Sequence, residues 1–357
     1  MNKKIIFAGG GTGGHIFPAI NIMKYFFKKE YEVVLITDKR GNNFVESYTK
    51  FKTYIINTST PTNKSFLIKF ISYFSIIYSI VKSIIILKKE KPDLVFGLGG
   101  YVSFPVSFAC RFFNLPLVIY ENNMVLGRAN NYLAPYSKKI LFAKKINNLN
   151  QKYMSKTYKV GTILSEDIIN YSSFVKNDKN IFSILVLGGS QGAEVFGTVI
   201  PEVIKKIKDK DYKIEVFHQC LLKQKKILAD FYNKNNIKNY VFDFDRNILK
   251  LISSSNLAIT RCGASTTAEL THTFTPFIAV PLPDSVDNHQ YLNGKYYENN
   301  GCCWLLEQKN FNAGSLFNII MDSLTNKNKL ENIKLNMKKI YNKDVYSNIE
   351  NEIKELI

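Results

Sequence analysis

The chain alternates short, wholly apolar runs with longer stretches whose apolar positions recur every three or four residues. Ile5-Ile6-Phe7-Ala8 is such a run, and it stops at Gly9-Gly10-Gly11-Thr12-Gly13-Gly14-His15. Ile20, Met23 and Phe27 then mark a helical stretch, so the order is strand, glycine turn, helix. Further strands are predicted at Glu32–Thr37, closed by Asp38, at Asp93–Gly97, leading into the turn Gly97–Gly100, and at Leu117–Tyr120. Apolar strands separated by helix-length segments predict a parallel sheet covered on both faces.

After the polar stretch Asn170–Asn180 the pattern restarts. Ser183–Leu187 runs into Gly188-Gly189-Ser190-Gln191-Gly192-Ala193, and more strands are predicted at Lys213–Phe217, Tyr240–Phe244, Leu257–Thr260 and Phe277–Val280. The tail beyond Asn326 is polar, with helical spacing at Leu330, Ile333, Met337 and Ile340. The fold class predicted is α/β, with two Rossmann-like open parallel-sheet domains facing across a cleft lined by the carboxyl ends of their strands. The hinge is expected within Val160–Lys179.

Length agrees with two domains, since 357 residues exceed one ordinary core, and 46% hydrophobic residues exclude a disordered chain. The formal charge of +19 favours anionic partners without choosing between nucleic acid, lipid and phosphorylated metabolites. Five cysteines, at 110, 220, 262, 302 and 303, form no C-x-x-C pair and suit a reducing compartment; Cys302 and Cys303 read as packing residues. Only four apolar residues separate Lys4 from the glycines, too few for a secretory h-region, so a cytoplasmic protein is expected.

A glycine turn leading into a helix presents N–H groups and the positive helix end to an anion. Gly9, Gly11 and Gly14 satisfy G-x-G-x-x-G, and Asp38 stands where a nicotinamide enzyme places its ribose-binding acid, so an NAD-dependent oxidoreductase is one reading. A second glycine loop at Gly188–Ala193 and a third turn at Gly263–Thr266 favour a two-substrate transferase instead. His15 could take a proton from an attacking hydroxyl or merely brace the turn. Thr266-x-x-Glu269 has the spacing of a capping box, and Glu269 could equally accept hydrogen bonds from vicinal sugar hydroxyls. No metal site is predicted: the four histidines are scattered, and Asp243-x-Asp245 and Asp209-x-Asp211 are taken as chance. A non-enzymatic basic membrane-binding module is the remaining alternative.

Phe66–Leu87 is rich in Ile, Phe and Tyr but carries Lys69 and Lys82 and is flanked by Lys88, Lys89 and Lys91. The segment Phe70–Val81 is shorter than the ~20 residues a span needs, which predicts one or two helices at an interface, one face packed and one face docked on lipid.

Six motifs occur together, in one order: Gly10–Ala19, Gly97–Ser103, Glu121-Asn122-Asn123, Leu187–Ala193, Arg261–Glu269 and Pro281–Gln290. With these the chain resembles the MurG family of peptidoglycan N-acetylglucosaminyltransferases over nearly its whole length. The resemblance implies a GT-B fold and an inverting transfer of GlcNAc from UDP-GlcNAc to the 4-hydroxyl of the muramoyl-pentapeptide of lipid I, giving lipid II, with no cofactor and no metal. It implies residues 1–163 as an acceptor- and membrane-facing domain, 164–340 as a UDP-GlcNAc domain, and 341–357 as a helix packing back on the first.

It further implies Thr12, Gly13, Gly14, Asn123, Ser190, Ala264, Ser265, Thr266, Thr267, Ala268, Glu269 and Gln290 as residues that bind UDP-GlcNAc, with Thr12, Gly13 and Gly14 in a loop that meets the phosphates of donor and acceptor and Asn123 in the cleft. Gly99, Gly100 and Tyr101 would form the acceptor-diphosphate loop, and His15 and Glu269 would be catalytic. The partners implied are UDP-GlcNAc, lipid I and anionic lipid of the inner membrane, on its cytoplasmic face, and no nucleic acid. One position departs from the family: Ser165, in Gly161-Thr162-Ile163-Leu164-Ser165, stands where an arginine contacting the nucleotide is expected.

Overall fold

A computed structural model describes residues 2–45, 51–58, 66–171, 181–189 and 192–357, the side chains of 66–70 and 327 excepted. They divide into two compact units, Met1–Ser165 with Asp344–Ile357, and Glu166–Lys343.

In the first unit the strands are β1 (Lys4–Ala8), β2 (Glu32–Thr37), β3 (Lys52–Ile55), β4 (Leu94–Gly97), β5 (Leu117–Glu121), β6 (Lys139–Phe142) and β7 (Thr157–Lys159). They pair in the order β3-β2-β1-β4-β5-β6-β7, all parallel, with Ile5 opposite Val33 on one side and Leu94 on the other. In the second, β8 (Phe182–Leu187), β9 (Ile214–Gln219), β10 (Lys238–Phe242), β11 (Leu257–Thr260), β12 (Phe277–Ala279) and β13 (Cys303–Leu305) pair as β10-β9-β8-β11-β12-β13. The central strands are buried on both faces, as their unbroken Val, Ile and Leu runs require.

Four strands, β3, β6, β7 and β13, went unpredicted from pattern. They are three or four residues long and lie towards sheet edges, where pairing with a neighbour rather than apolar content fixes them. Tyr240–Phe244 was displaced by two residues: the strand ends at Phe242, and Phe244 stands exposed in the following loop.

After helix Lys327–Ile340 the chain returns to the first unit as helix Val345–Lys354. Tyr346 stacks on Tyr25 with centroids 4.9 Å apart and planes 11° from parallel. The Tyr25 hydroxyl donates to Glu350 Oε2 at 2.5 Å, and Lys139 pairs with Glu352 at 2.7 Å and with Glu355.

Candidate active site

In the first unit, the chain leaves β1 at Ala8 and enters helix Gly13–Lys28 through Gly9–Thr12. Gly11 has φ +82°, and a Cβ there would stand 2.8 Å from the Tyr101 ring, so only glycine fits. Thr12, the N-cap residue, is exposed and makes no side-chain cap, and the first turn holds no acid. His15 and Ile16 N–H donate to the Thr12 carbonyl, which leaves Gly13 and Gly14 N–H at the open helix end, an arrangement suited to an anion.

His15 is partly buried. Its Nδ1 lies 2.9 Å from the Leu98 carbonyl oxygen. A carbonyl only accepts, so Nδ1 carries the proton and Nε2 of the neutral ring holds a lone pair. The imidazole rests on the β4 turn: a Cβ on Gly99 would stand 3.3 Å from His15 Cε1, and one on Gly100 3.3 Å from Nε2. Gly99 (φ +82°) and Gly100 (φ +74°) thus open a space that the ring fills.

Asn123 N–H and Nδ2 both donate to Glu121 Oε1, while Gly127 N–H and Asn130 Nδ2 donate to Oε2. Glu121 is 4% exposed and shapes the whole loop after β5. The motif named it, but the reading fastened on Asn123; a carboxylate at a strand end followed by two amides was the available signal.

In the second unit, Gly189 (φ +80°) and Gly192 (φ +70°) turn the chain after β8, with Gly192 N–H donating to Gly189 O. Ser190 lies outside the described residues. Helix Ala264–His272 begins at the carboxyl end of β11 with Gly263 as N-cap. The capping-box reading is therefore corrected: Thr266 and Glu269 are inside the helix, three residues apart on one face, and neither caps it. Ser265 and Thr266 are partly exposed, Ala264 is 8% exposed, and Thr267 and Ala268 are turned into the core. Thr267 Oγ1 donates to Gly263 O.

The Glu269 carboxylate has no hydrogen-bond or ionic partner among the described residues, and burial raises it to about 7. Gln290 Oε1 accepts from Cys262 N–H and Leu282 N–H, each at 3.1 Å. Asn293 Nδ2 donates to Cys262 O at 3.1 Å. The loop before helix Ala264–His272 is thus clamped to helix His289–Asn299 through Cys262, and the Gln290 Nε2 donors have no partner among the described residues.

Arg261 is 7% exposed. It donates to Val280 O, Pro281 O and Gln308 Oε1 and lies over the Phe196 ring, so it holds the scaffold and does not stand in for the arginine missing at Ser165. Among the described residues, no group of three His, Cys, Asp or Glu is placed to hold a metal ion.

A further surface belongs to the first unit. Helix Phe66–Glu90 is long and apolar enough, over Ile71–Glu90, to cross a membrane, and near its C-terminal end Ile86 and Leu87 are buried in the core. Ser72, Ser79 and Ser83 are buried against the unit, whereas Phe74, Ile77, Tyr78, Val81 and Ile85 are half or more exposed along one helical face. Ser79 Oγ and Lys82 Nζ donate to Asn57 O and Ile55 O. Exposed Phe112 extends the apolar surface.

Comparison with known proteins agrees in both units. Residues 5–142 match the glycosyltransferase family 28 N-terminal domain and residues 183–349 its C-terminal domain. The chain belongs to glycosyltransferase family 28. A Pelagibacter ubique relative, 33% identical over all of this chain and 99% of its own, carries the name UDP-N-acetylglucosamine–N-acetylmuramyl-(pentapeptide) pyrophosphoryl-undecaprenol N-acetylglucosamine transferase. So does a Rickettsia canadensis relative, 36% identical over 99% and 100% of the two chains. Acinetobacter baumannii MurG shares the fold at TM-score 0.79 and 23% identity, covering 99% of this chain and 100% of that one. A UDP complex of S. aureus MnaA shares it at 0.72 and 13%, over 99% and 98%.

Membership gives the dehydrogenase reading no support, and the geometry around Asp38 speaks against it. The Asp38 carboxylate accepts from Gly11 N–H, Gly41 N–H and the Tyr101 hydroxyl. It is consumed inside the fold instead of being presented to a ribose.

Proposed function

We propose that the chain transfers N-acetylglucosamine from UDP-N-acetylglucosamine to the 4-hydroxyl of the muramoyl-pentapeptide on undecaprenyl diphosphate, turning lipid I into lipid II at the cytoplasmic face of the inner membrane. The observation that carries the reading is full-length kinship to enzymes of that name, in a chain whose His15 keeps Nε2 free at an anion-receptive turn.

In this reading the second unit holds the donor. The diphosphate lies against the N–H groups of Ala264, Ser265 and Thr266 and the loop that contains Ser190. Glu269 accepts from the ribose hydroxyls, and Gln290 Nε2 donates to a hydroxyl of the sugar. The first unit takes the acceptor: Thr12, Gly13 and Gly14, with Gly99, Gly100 and Tyr101, receive its diphosphate, and Asn123 lines the same end of the sheet. His15 Nε2 accepts the proton of the acceptor hydroxyl as its oxygen bonds to the anomeric carbon. The bond to UDP breaks, and the charge that develops on the diphosphate is met by helix-end N–H groups.

Helix Phe66–Glu90 rests on the bilayer with Phe74, Ile77, Tyr78, Val81 and Ile85 in the acyl boundary. Lys88, Lys89 and Lys91 attract anionic headgroups at about 1 kcal/mol each. The charge of the chain is thus read as directed at lipid and phosphate, with nucleic acid no part of it.

The test is transfer of radiolabel from UDP-GlcNAc to a short-chain lipid I analogue by the purified protein, with UDP-GalNAc and TDP-sugars as competitors. A product from UDP-GlcNAc alone is expected. NADH binding without UDP affinity, or vesicle binding without turnover, would overturn the reading.

A further inference from the structure

Asp38 ends β2 and is 7% exposed, yet it has no basic partner among the described residues. Its negative charge is met by three neutral donors: one on the β1 turn, one in the first turn of helix Lys39–Val45, which follows Asp38, and one in the first turn of helix Gly100–Ala109. Oδ1 accepts from Gly11 N–H on the β1 turn and from Gly41 N–H at the start of helix Lys39–Val45, both at 2.9 Å. Oδ2 accepts from the Tyr101 hydroxyl, just beyond the β4 turn, at 2.7 Å. The packing leaves no slack: a Cβ on Gly10 would stand 2.7 Å from Asp38 Oδ1, and one on Gly11 would strike the Tyr101 ring.

His15 occupies the gap between the same two turns. Its helix starts from the β1 turn, its Nδ1 is held by Leu98 O on the β4 turn, and its ring lies on Gly99 and Gly100. The spacing of the two turns therefore sets the direction of Nε2, and Asp38 sets that spacing. Charge-assisted bonds of this length are stiffer than neutral ones, and a buried carboxylate left without any of its three donors would be strongly disfavoured.

We propose that Asp38 is a positioning residue of the transfer reaction, a buried latch that fixes the β1 and β4 turns on either side of His15 and so aims Nε2 at the acceptor hydroxyl. The inference rests on the reading of His15 as the base. Asp38 touches no substrate and acts through the glycine turns and Tyr101.

The test uses the full-length chain with a short-chain lipid I analogue, comparing Asp38→Asn, Tyr101→Phe and the double variant. Asp38→Asn keeps the side-chain shape and removes the charge; Tyr101→Phe cuts one of the three bonds at a residue that is only partly buried. The expected result is a fall in kcat of about tenfold or more for Asp38→Asn and a smaller fall for Tyr101→Phe, since sub-ångström misplacement of a base is costly. KM for the donor stays within about threefold in both variants, KM for the acceptor does so in Asp38→Asn, and the double variant has a kcat no worse than Asp38→Asn because both act at one node.

UDP binding, a property of the second unit, and vesicle binding through helix Phe66–Glu90, a property of the first, should be unchanged. A merely structural role would reduce vesicle binding together with kcat. Should Asp38→Asn lose vesicle binding, Tyr101→Phe alone decides. A kcat near wild type in the folded variants, or a loss confined to KM, overturns the proposal while the functional reading stands. Absence of transfer by the wild-type protein overturns both.

Discussion

Leu98 O and His15 Nδ1 are 2.9 Å apart, and this one contact fixes which imidazole nitrogen is free. The contact joins residues 83 positions apart through two glycine turns, and the chemistry proposed for the first unit depends on it.

His15→Ala should lower kcat by about 100-fold or more, within the range that positioned general bases contribute, with donor KM little changed. His15→Gln can still meet Leu98 O but has no basic nitrogen, so it should be nearly as slow. Steady-state kinetics with the lipid I analogue checks both variants, and a kcat near wild type for His15→Gln would remove the ring as base.

Glu269 ties donor binding to pH. Its carboxyl ordinarily titrates near 4.5 and is raised by burial to about 7 in the fold. Between those values the folded chain keeps a proton that the unfolded chain releases. The group therefore favours folding below about 4.5 and loses that contribution as pH rises through 7. Glu269→Gln should raise the melting temperature at pH 8 and change it little at pH 4.5. The same variant should weaken UDP-GlcNAc binding, and a ribose-deoxygenated UDP should show much less of that loss, by calorimetry.

Gln290→Ala removes the acceptor shared by Cys262 and Leu282 N–H and leaves both without a partner. Discrimination between UDP-GlcNAc and UDP-GalNAc should shrink by about tenfold, of the order of one lost hydrogen bond. Equal discrimination in variant and wild type would remove Gln290 from the sugar site.

Paired substitution of Phe74 and Ile77 by Glu should cut partitioning onto anionic vesicles by about tenfold or more, because the two side chains are 59% and 58% exposed and a charge there would have to enter the acyl boundary. Transfer to a short, water-soluble acceptor should be retained. Unchanged sedimentation with vesicles would sink the docking face.

Glu90 anchors the far end of that helix. Burial by itself would raise its carboxyl, but hydrogen bonds from Lys52, Tyr54 and Lys4 outweigh it and lower the value to about 2. Its contribution is present above the ordinary carboxylate value and is lost as pH falls towards 2. Glu90→Ala should cost about 3 kcal/mol at pH 7, as breaking a buried charge cluster does, with a smaller difference in acid, measured by urea unfolding.

Much of the fold was legible because a parallel sheet writes itself as uninterrupted apolar runs, each ending in a turn. Most of the nine strands predicted from pattern are central ones whose burial on both faces demands such runs; β9 and the edge strand β10 alternate or are partly exposed. The three-residue strands Thr157–Lys159 and Cys303–Leu305 lacked that signature, since a sheet edge accepts nearly any residue that can pair. Glu269 and Gln290 were readable from motifs, but the capping-box spacing misled, because spacing does not show that the helix already began at Ala264.

By itself, the sequence determined the two α/β units, the three glycine turns and the polar residues gathered after them, since backbone conformation and burial act through local residue types. Only the tertiary structure decided what those residues do. Asp38 lies where a ribose ligand belongs and is instead a latch, Arg261 is a brace, and Ser72, Ser79 and Ser83 of helix Phe66–Glu90 face inward while Tyr73, Phe74 and Tyr78 face out. Hydrogen bonds between residues tens of positions apart carry no periodic trace in a chain. Their partners are set only when the strands are laid side by side.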